Sequence, residues 1–234
     1  MAREYSAEER ARLTRAAGEG LLLVGTLLRI KEAESPKTRA VGIVTQMAAE
    51  LIHGAADLAC KNTYYASLAL HRQLLEVFYL LDYFAGDPER AARWLVTPDT
   101  DFAKPTSEFS PAALRRAGGF DDTQYSQHCG LAGHPRPAGR VVLVRGEAWN
   151  WPLPVTSAMP GTDLFIRLKD LVICDALSHA RTTYLAVGRA VDALGLTGDY
   201  GHVLAPAGAD LDTWANEDPG ASIRYRFATS ADLG

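Results

Sequence analysis

A chain of 234 residues is long enough to bury a core without disulfides or a structural metal. Apolar residues at 47% and charged residues at 22% are ordinary for a globular protein, and a formal net charge of -4 argues against a broad polybasic face for nucleic acid or membrane. Cys60, Cys129 and Cys174 are odd in number, widely spaced and free of any CxxC pair, which suits reduced thiols rather than a disulfide framework.

The first predicted helix runs over about 6–34, with Leu13, Ala16, Gly20, Leu23, Leu27 and Ile30 at three-four spacing. Its run "GLLLVGTLLRI" is too short to cross a bilayer, and the mixed charges before it do not resemble a signal peptide. The expectation is a cytoplasmic chain with no membrane partner. Pro36 breaks this helix, and a second follows over about 37–61 with Val44, Met47, Leu51, Ala55 and Leu58 on one stripe. A third spans about 62–86, with Asn62 as N-cap and Gly86 at its end.

Shorter pieces occupy about 87–160. "DPERAARWLV" starts with Asp87 and Pro88, "SPAALRRAGG" repeats that logic with Ser110 and Pro111, and "DDTQYSQHCGLAG" is a short helix ending at Gly133. "GRVVLVRGEAWNWPLPV" reads as a strand or extended run, then a proline-broken loop. The fourth long helix covers about 162–195 and stops at Gly195; the tail 196–234 is expected to be irregular, with a short helix near Ala209 to Asn216. The sum is an all-α chain in one helical domain, 1–234: a bundle of four long helices with an inserted group of short ones.

"QYSQHCGLAGHPRP" (124–137) collects side chains that look like ligands. As a helix it places Tyr125, His128, Cys129 and Ala132 on one face, while His134 lies beyond Gly133 and off that face. No second pair such as HxxxH or CxxC completes a zinc set, so His128 reads as a helix end whose imidazole, if charged, suits the helix dipole.

"RQLLEVFYLLDYFAGDPERAARWL" (72–95), followed by "FSPAALR" and "YSQHCGLAGHPRPAG", resembles an actinobacterial all-α family and, through it, the HEPN-like superfamily. The resemblance covers about residues 65–140 and rests on the spacing of Arg72, Glu76, Trp94 and His134-Pro135. It implies a helical bundle from a defence or toxin–antitoxin setting that binds RNA, a nucleotide or a partner protein, without a cofactor. Active members of that superfamily cleave RNA with an arginine and a histidine four to six residues apart. None of the six histidines here has an arginine at that distance upstream, so the ribonuclease activity does not carry over. The matched residues suggest either a pocket, in which Arg72 binds an anion and His134 moves a proton beside Glu76, or a strut that ties the third helix to the insertion.

The long helices offer a second constellation. Ferritin-like dimetal bundles take one Glu from each of two helices and Glu-x-x-His from each of the other two. In chain order the sequence shows Glu19, then Glu50 with His53, then Glu76, then Asp175 with His179. In an up-down bundle Glu19, Glu50 and Glu76 lie at broadly similar heights, and the set suits a pair of iron or manganese ions in an oxidase or oxygenase. The last motif departs from the pattern, with Asp-x-x-x-His for Glu-x-x-His.

Arg115, Arg116, Arg136 and Arg140 form a local anion patch if they converge. Trp149 and Trp151, with the acidic tail, are the contact surfaces expected of a non-catalytic interaction module or homodimer. There is no phosphate-binding glycine loop and no nucleophile elbow.

Overall fold

Prolines and glycines set the helix ends. A computed structural model of the chain describes residues 3–31, 35–102, 104, 106–120, 122–133 and 161–218. Helix α1 covers Ala7–Lys31 and α2 covers Pro36–Cys60, with Ser35 Oγ accepting from the Thr38 amide to cap the second. Helix α3, Tyr64–Gly86, starts one residue later than Asn62 predicts: Thr63 is the cap residue, and Asn62 turns the chain at φ 60° and accepts from the Tyr64 hydroxyl. Four short helices follow: α4 (Glu89–Val96), α5 (Asp99–Phe102), α6 (Pro111–Gly118) and α7 (Asp122–His128). Gly119 takes the left-handed conformation that ends α6. The turn after α7, Cys129–Gly133, widens into a π-helix. The fourth long helix is α8, Gly161–Ala193. The described residues are helical with no strand; the extended run predicted at 140–154 lies outside them.

Helices α1, α2, α3 and α8 pack as a ring, each on the next, with α2 and α8 also in contact across it. The pairs Arg15–Asp57 and Gly25–Gly42 make α1 and α2 antiparallel. His71–Asp175 and Asp82–Arg189 make α3 and α8 parallel, so the chain crosses back between them and the simple up-down order is not kept.

The tail is more ordered than composition suggests. Helix α9 runs Thr197–Glu217 despite Pro206 inside it, and packs on α1 and α8. It is closed by a buried clamp: Arg10 donates to both oxygens of Asp218, and Trp214 Nε1 donates to Oδ2 at 2.8 Å. Tyr184 adds a 2.6 Å bond to the Leu204 carbonyl, which proline at 206 does not disturb. Tertiary contacts therefore override the missing apolar period.

The phase of α1 also differs from expectation. Ala17, Leu21, Val24 and Leu28 face the core, whereas Leu23 and Ile30 are 51% and 71% exposed. In α2 the buried stripe holds Val41, Val44, Ala48, Ile52, Ala55 and Ala59, with Met47 outside. Continuous runs such as "GLLLVGTLL" fit several phases, and the choice is made by where small residues allow close approach. Gly25 and Gly42 mark that approach: a Cβ on Gly42 would lie 2.9 Å from Arg29 Cγ, 3.0 Å from the Gly25 carbonyl oxygen and 3.1 Å from Leu28 Cβ. The opposing carbonyl is backbone and cannot swing aside. Gly42→Ala is expected to cost about 1–3 kcal/mol in urea unfolding. Unchanged stability would show that α1 and α2 separate freely at this contact.

Candidate metal centre

One group of three or more potential metal ligands occurs among the described residues: His71, His128, Asp175 and His179, whose ligand atoms all lie within 4.8 Å of one another. His71 comes from α3 and Asp175 and His179 from successive turns of α8, at i and i+4 on one face. His128 is the last residue of α7, placed where the short helix meets α3. All three imidazoles are buried and Asp175 is largely so.

His71 Nδ1 lies 2.7 Å from Asp175 Oδ2. His128 Nε2 is 3.4 Å from the same oxygen and 3.0 Å from His179 Nε2, which in turn is 3.4 Å from Asp175 Oδ1. Four ligands about 2.1 Å from a common ion span pairs of up to about 4.2 Å. The separations here bracket that geometry.

Polar contacts hold the His71 ring on both of its nitrogens. Ser67 Oγ donates its one hydrogen to the Ala55 carbonyl at 2.8 Å and stands 3.4 Å from His71 Nε2. In the metal-free chain the 2.7 Å contact is a hydrogen bond from His71 Nδ1–H to the charged Asp175 oxygen. With the proton moved to Nε2, where it faces the Ser67 lone pair, Nδ1 and the carboxylate oxygen can share one cation. Such a backing contact on the outer nitrogen is what metal-ligating histidines use for orientation. His128 has no equivalent: its buried Nδ1 meets no hydrogen-bond partner among the described residues.

Burial pushes the His128 imidazole down to about 3, and lowers His71 despite the pull of Asp175. Both are neutral at neutral pH, with lone pairs free for a metal. Burial alone would raise Asp175, but the surrounding histidines hold it well below the usual carboxylate range, so it stays charged. A neutral imidazole at the end of α7 adds nothing to the helix dipole, so the role expected of a charged His128 is not filled.

The six-residue dimetal set does not assemble. Asp175 and His179 enter the cluster, while Glu19, Glu50, His53 and Glu76 share no ligand group among the described residues. Glu19 and Glu50 are exposed. His53 turns toward α1, where its Nε2 meets the Arg15 carbonyl and its ring covers Gly18. The faces are wrong, because the inward face of α2 is taken by Ala48, Ile52 and Ala55.

Arg72 and Glu76 do pair, at 3.0 Å, and the pair reaches α7 through Tyr125. The Tyr125 hydroxyl donates to Glu76 Oε1 at 2.8 Å and accepts from Arg72 Nη2 at 3.4 Å. Burial and Glu76 push that phenol up to about 12, so it keeps its proton. Arg115 stacks over the Tyr125 ring at 4.4 Å, while Arg116 is exposed. His134, Arg136, Arg140, Trp149 and Trp151 lie outside the described residues.

No family model matches the chain, and neither a curated protein nor a solved structure matches it.

Proposed function

We propose that the chain binds one divalent transition-metal ion through His71 Nδ1, His128 Nε2, His179 Nε2 and a carboxylate oxygen of Asp175. The observation that carries this reading is the convergence of three buried imidazoles and one carboxylate, with ligand atoms all within 4.8 Å of one another, and with Ser67 Oγ placed behind His71 Nε2. Three imidazoles and one carboxylate, with no thiolate, suit iron(II) or zinc(II). One ion replaces the iron or manganese pair that the sequence suggests.

We read the centre as reactive rather than structural on two grounds. Closed structural zinc sites rely chiefly on cysteine, and none joins this set. The fold also has an extensive apolar core of its own, built from α1, α2, α3, α8 and α9, that does not depend on a metal staple.

Metal analysis of protein purified without chelator is expected to find near one iron or zinc per chain. A chain that holds no metal and takes up neither ion on dialysis sinks the reading.

A second reading, HEPN-like binding of RNA, a nucleotide or a partner protein in a defence setting, draws on the assembled Arg72–Glu76–Tyr125 network. Co-purifying RNA that Arg72→Ala removes would favour it. No described helix is long and apolar enough to cross a membrane.

A further inference from the structure

The four ligands are not held alike. His71, Asp175 and His179 stand on α3 and α8, helices of 23 and 33 residues that pack along each other through the core. His128 stands at the end of a seven-residue helix whose backbone packs mainly on α3, with the π turn after it. Ser67 braces His71 from behind, whereas His128 Nδ1 is buried without a partner among the described residues.

Attachments of two kinds besides the imidazole dock this arm, polar and apolar, and the Tyr125 ring also packs beside Tyr79 and Leu114 under Arg115. One is the Tyr125–Glu76–Arg72 network, a single turn before His128 on the same face of α7. The other is apolar: Ala132 of the π turn is buried with Leu68, Val172 and Ile173. The polar attachment is part-exposed and built from hydrogen bonds of modest net strength. A short element docked mainly through one long helix opens locally at lower cost than the core helices themselves.

Resting on the single-metal reading above, we infer that His128 is an exchangeable ligand: the α3–α8 triad of His71, Asp175 and His179 retains the metal, and release of the 122–133 arm opens a coordination position to a small nitrogen- or oxygen-donor ligand. The step breaks one metal–nitrogen bond and forms one to the incoming donor, with no change in oxidation state. Tyr125, through Glu76, acts as a positioning residue that keeps the arm closed.

The test loads the full chain with cobalt(II), whose visible absorption reports its coordination. His128→Ala is expected to keep one cobalt, bound about 10–100-fold more weakly, while His179→Ala retains none under the same conditions. Millimolar imidazole should change the spectrum of His128→Ala and restore its wild-type band, and should leave the wild type unaltered. In the wild type, metal addition should slow amide hydrogen exchange across 122–133, and Tyr125→Phe should partly reverse that protection. If His128→Ala loses cobalt as completely as His179→Ala, or wild type takes imidazole as readily as the variant, the inference is overturned while the metal site stands. Unchanged exchange in the wild type overturns it too, even should His128→Ala fail to fold. A wild type that takes up no cobalt overturns the metal reading and this inference together.

Discussion

Asp175→Asn is expected to abolish metal-induced stabilisation while leaving the helical fold in place. Asp175 is the one anionic ligand in the cluster, touching all three histidines at 2.7–3.4 Å. Three neutral imidazoles alone leave a buried dication uncompensated, and burial without a paired charge is strongly unfavourable. Asparagine has nearly the same shape, and its amide can still exchange hydrogen bonds with the facing ring nitrogens. The metal-free variant should therefore unfold within about 1–2 kcal/mol of metal-free wild type. The difference appears on adding metal. At free metal about 100-fold above Kd, a site present in the folded state alone adds about 2.7 kcal/mol. For a chain of this length that moves the unfolding midpoint by about 5–10 °C. Wild type should show that shift with iron(II) or zinc(II), and Asp175→Asn should show none. An equal shift in both proteins would place the metal elsewhere on the chain. A large loss of stability in the metal-free variant, with the metal shift retained, would make Asp175 a structural partner of His71 and no ligand.

The all-α class and the ends of the long helices are legible because their signals are local. Pro36 behind Ser35, Gly86 and Gly195 mark boundaries by backbone restriction alone, and the structure places helix ends within a few residues of them. Azimuth is not local. Which face of α1 turns inward depends on Gly25 meeting Gly42, a contact between two helices that a single-helix period cannot express. Helix α9 shows the same dependence, since Arg10, 208 residues before Asp218, supplies the buried charge that closes it.

The candidate centre divides along that line. Asp175 and His179 carry a short-range mark, a carboxylate and an imidazole one turn apart. His71 carries none: in "LALHRQLL" it is a lone histidine on an apolar helix, with its carboxylate 104 residues away. The available hint was that an ionisable group at a core-facing position needs a partner from another helix. His128 was harder still, because a histidine at a helix end has a sufficient local explanation in the dipole. Only the fold shows that the end is buried against α3 and α8 rather than open to water.

Stability of the metal-free chain should fall steeply as pH drops below about 6.5, and these two histidines are why. In the unfolded chain each takes up a proton near the ordinary histidine value of 6.5. In the folded chain burial lowers both, His128 to about 3, so the unfolded state binds more protons throughout that interval. Stability then rises with pH across it: their contribution is complete above about 6.5 and is lost progressively on acidification. Each histidine contributes a slope of up to about 1.4 kcal/mol per pH unit. Asp175 does not cancel this, because its own titration lies well below the ordinary carboxylate range. Stability from urea unfolding between pH 7.5 and 4.5 should therefore decline with a slope approaching one proton from His128 and a further contribution from His71, beyond whatever the exposed carboxylates add. His128→Asn should reduce that slope by close to one proton, since the side chain that must stay neutral is gone. Bound metal should flatten the upper part of the profile by occupying the nitrogen lone pairs, then be expelled as protons compete for them. A slope that His128→Asn leaves unchanged would mean that the imidazole is already protonated inside the fold. The cluster would then be a charged hydrogen-bond network around Asp175, with no lone pairs for a metal at neutral pH.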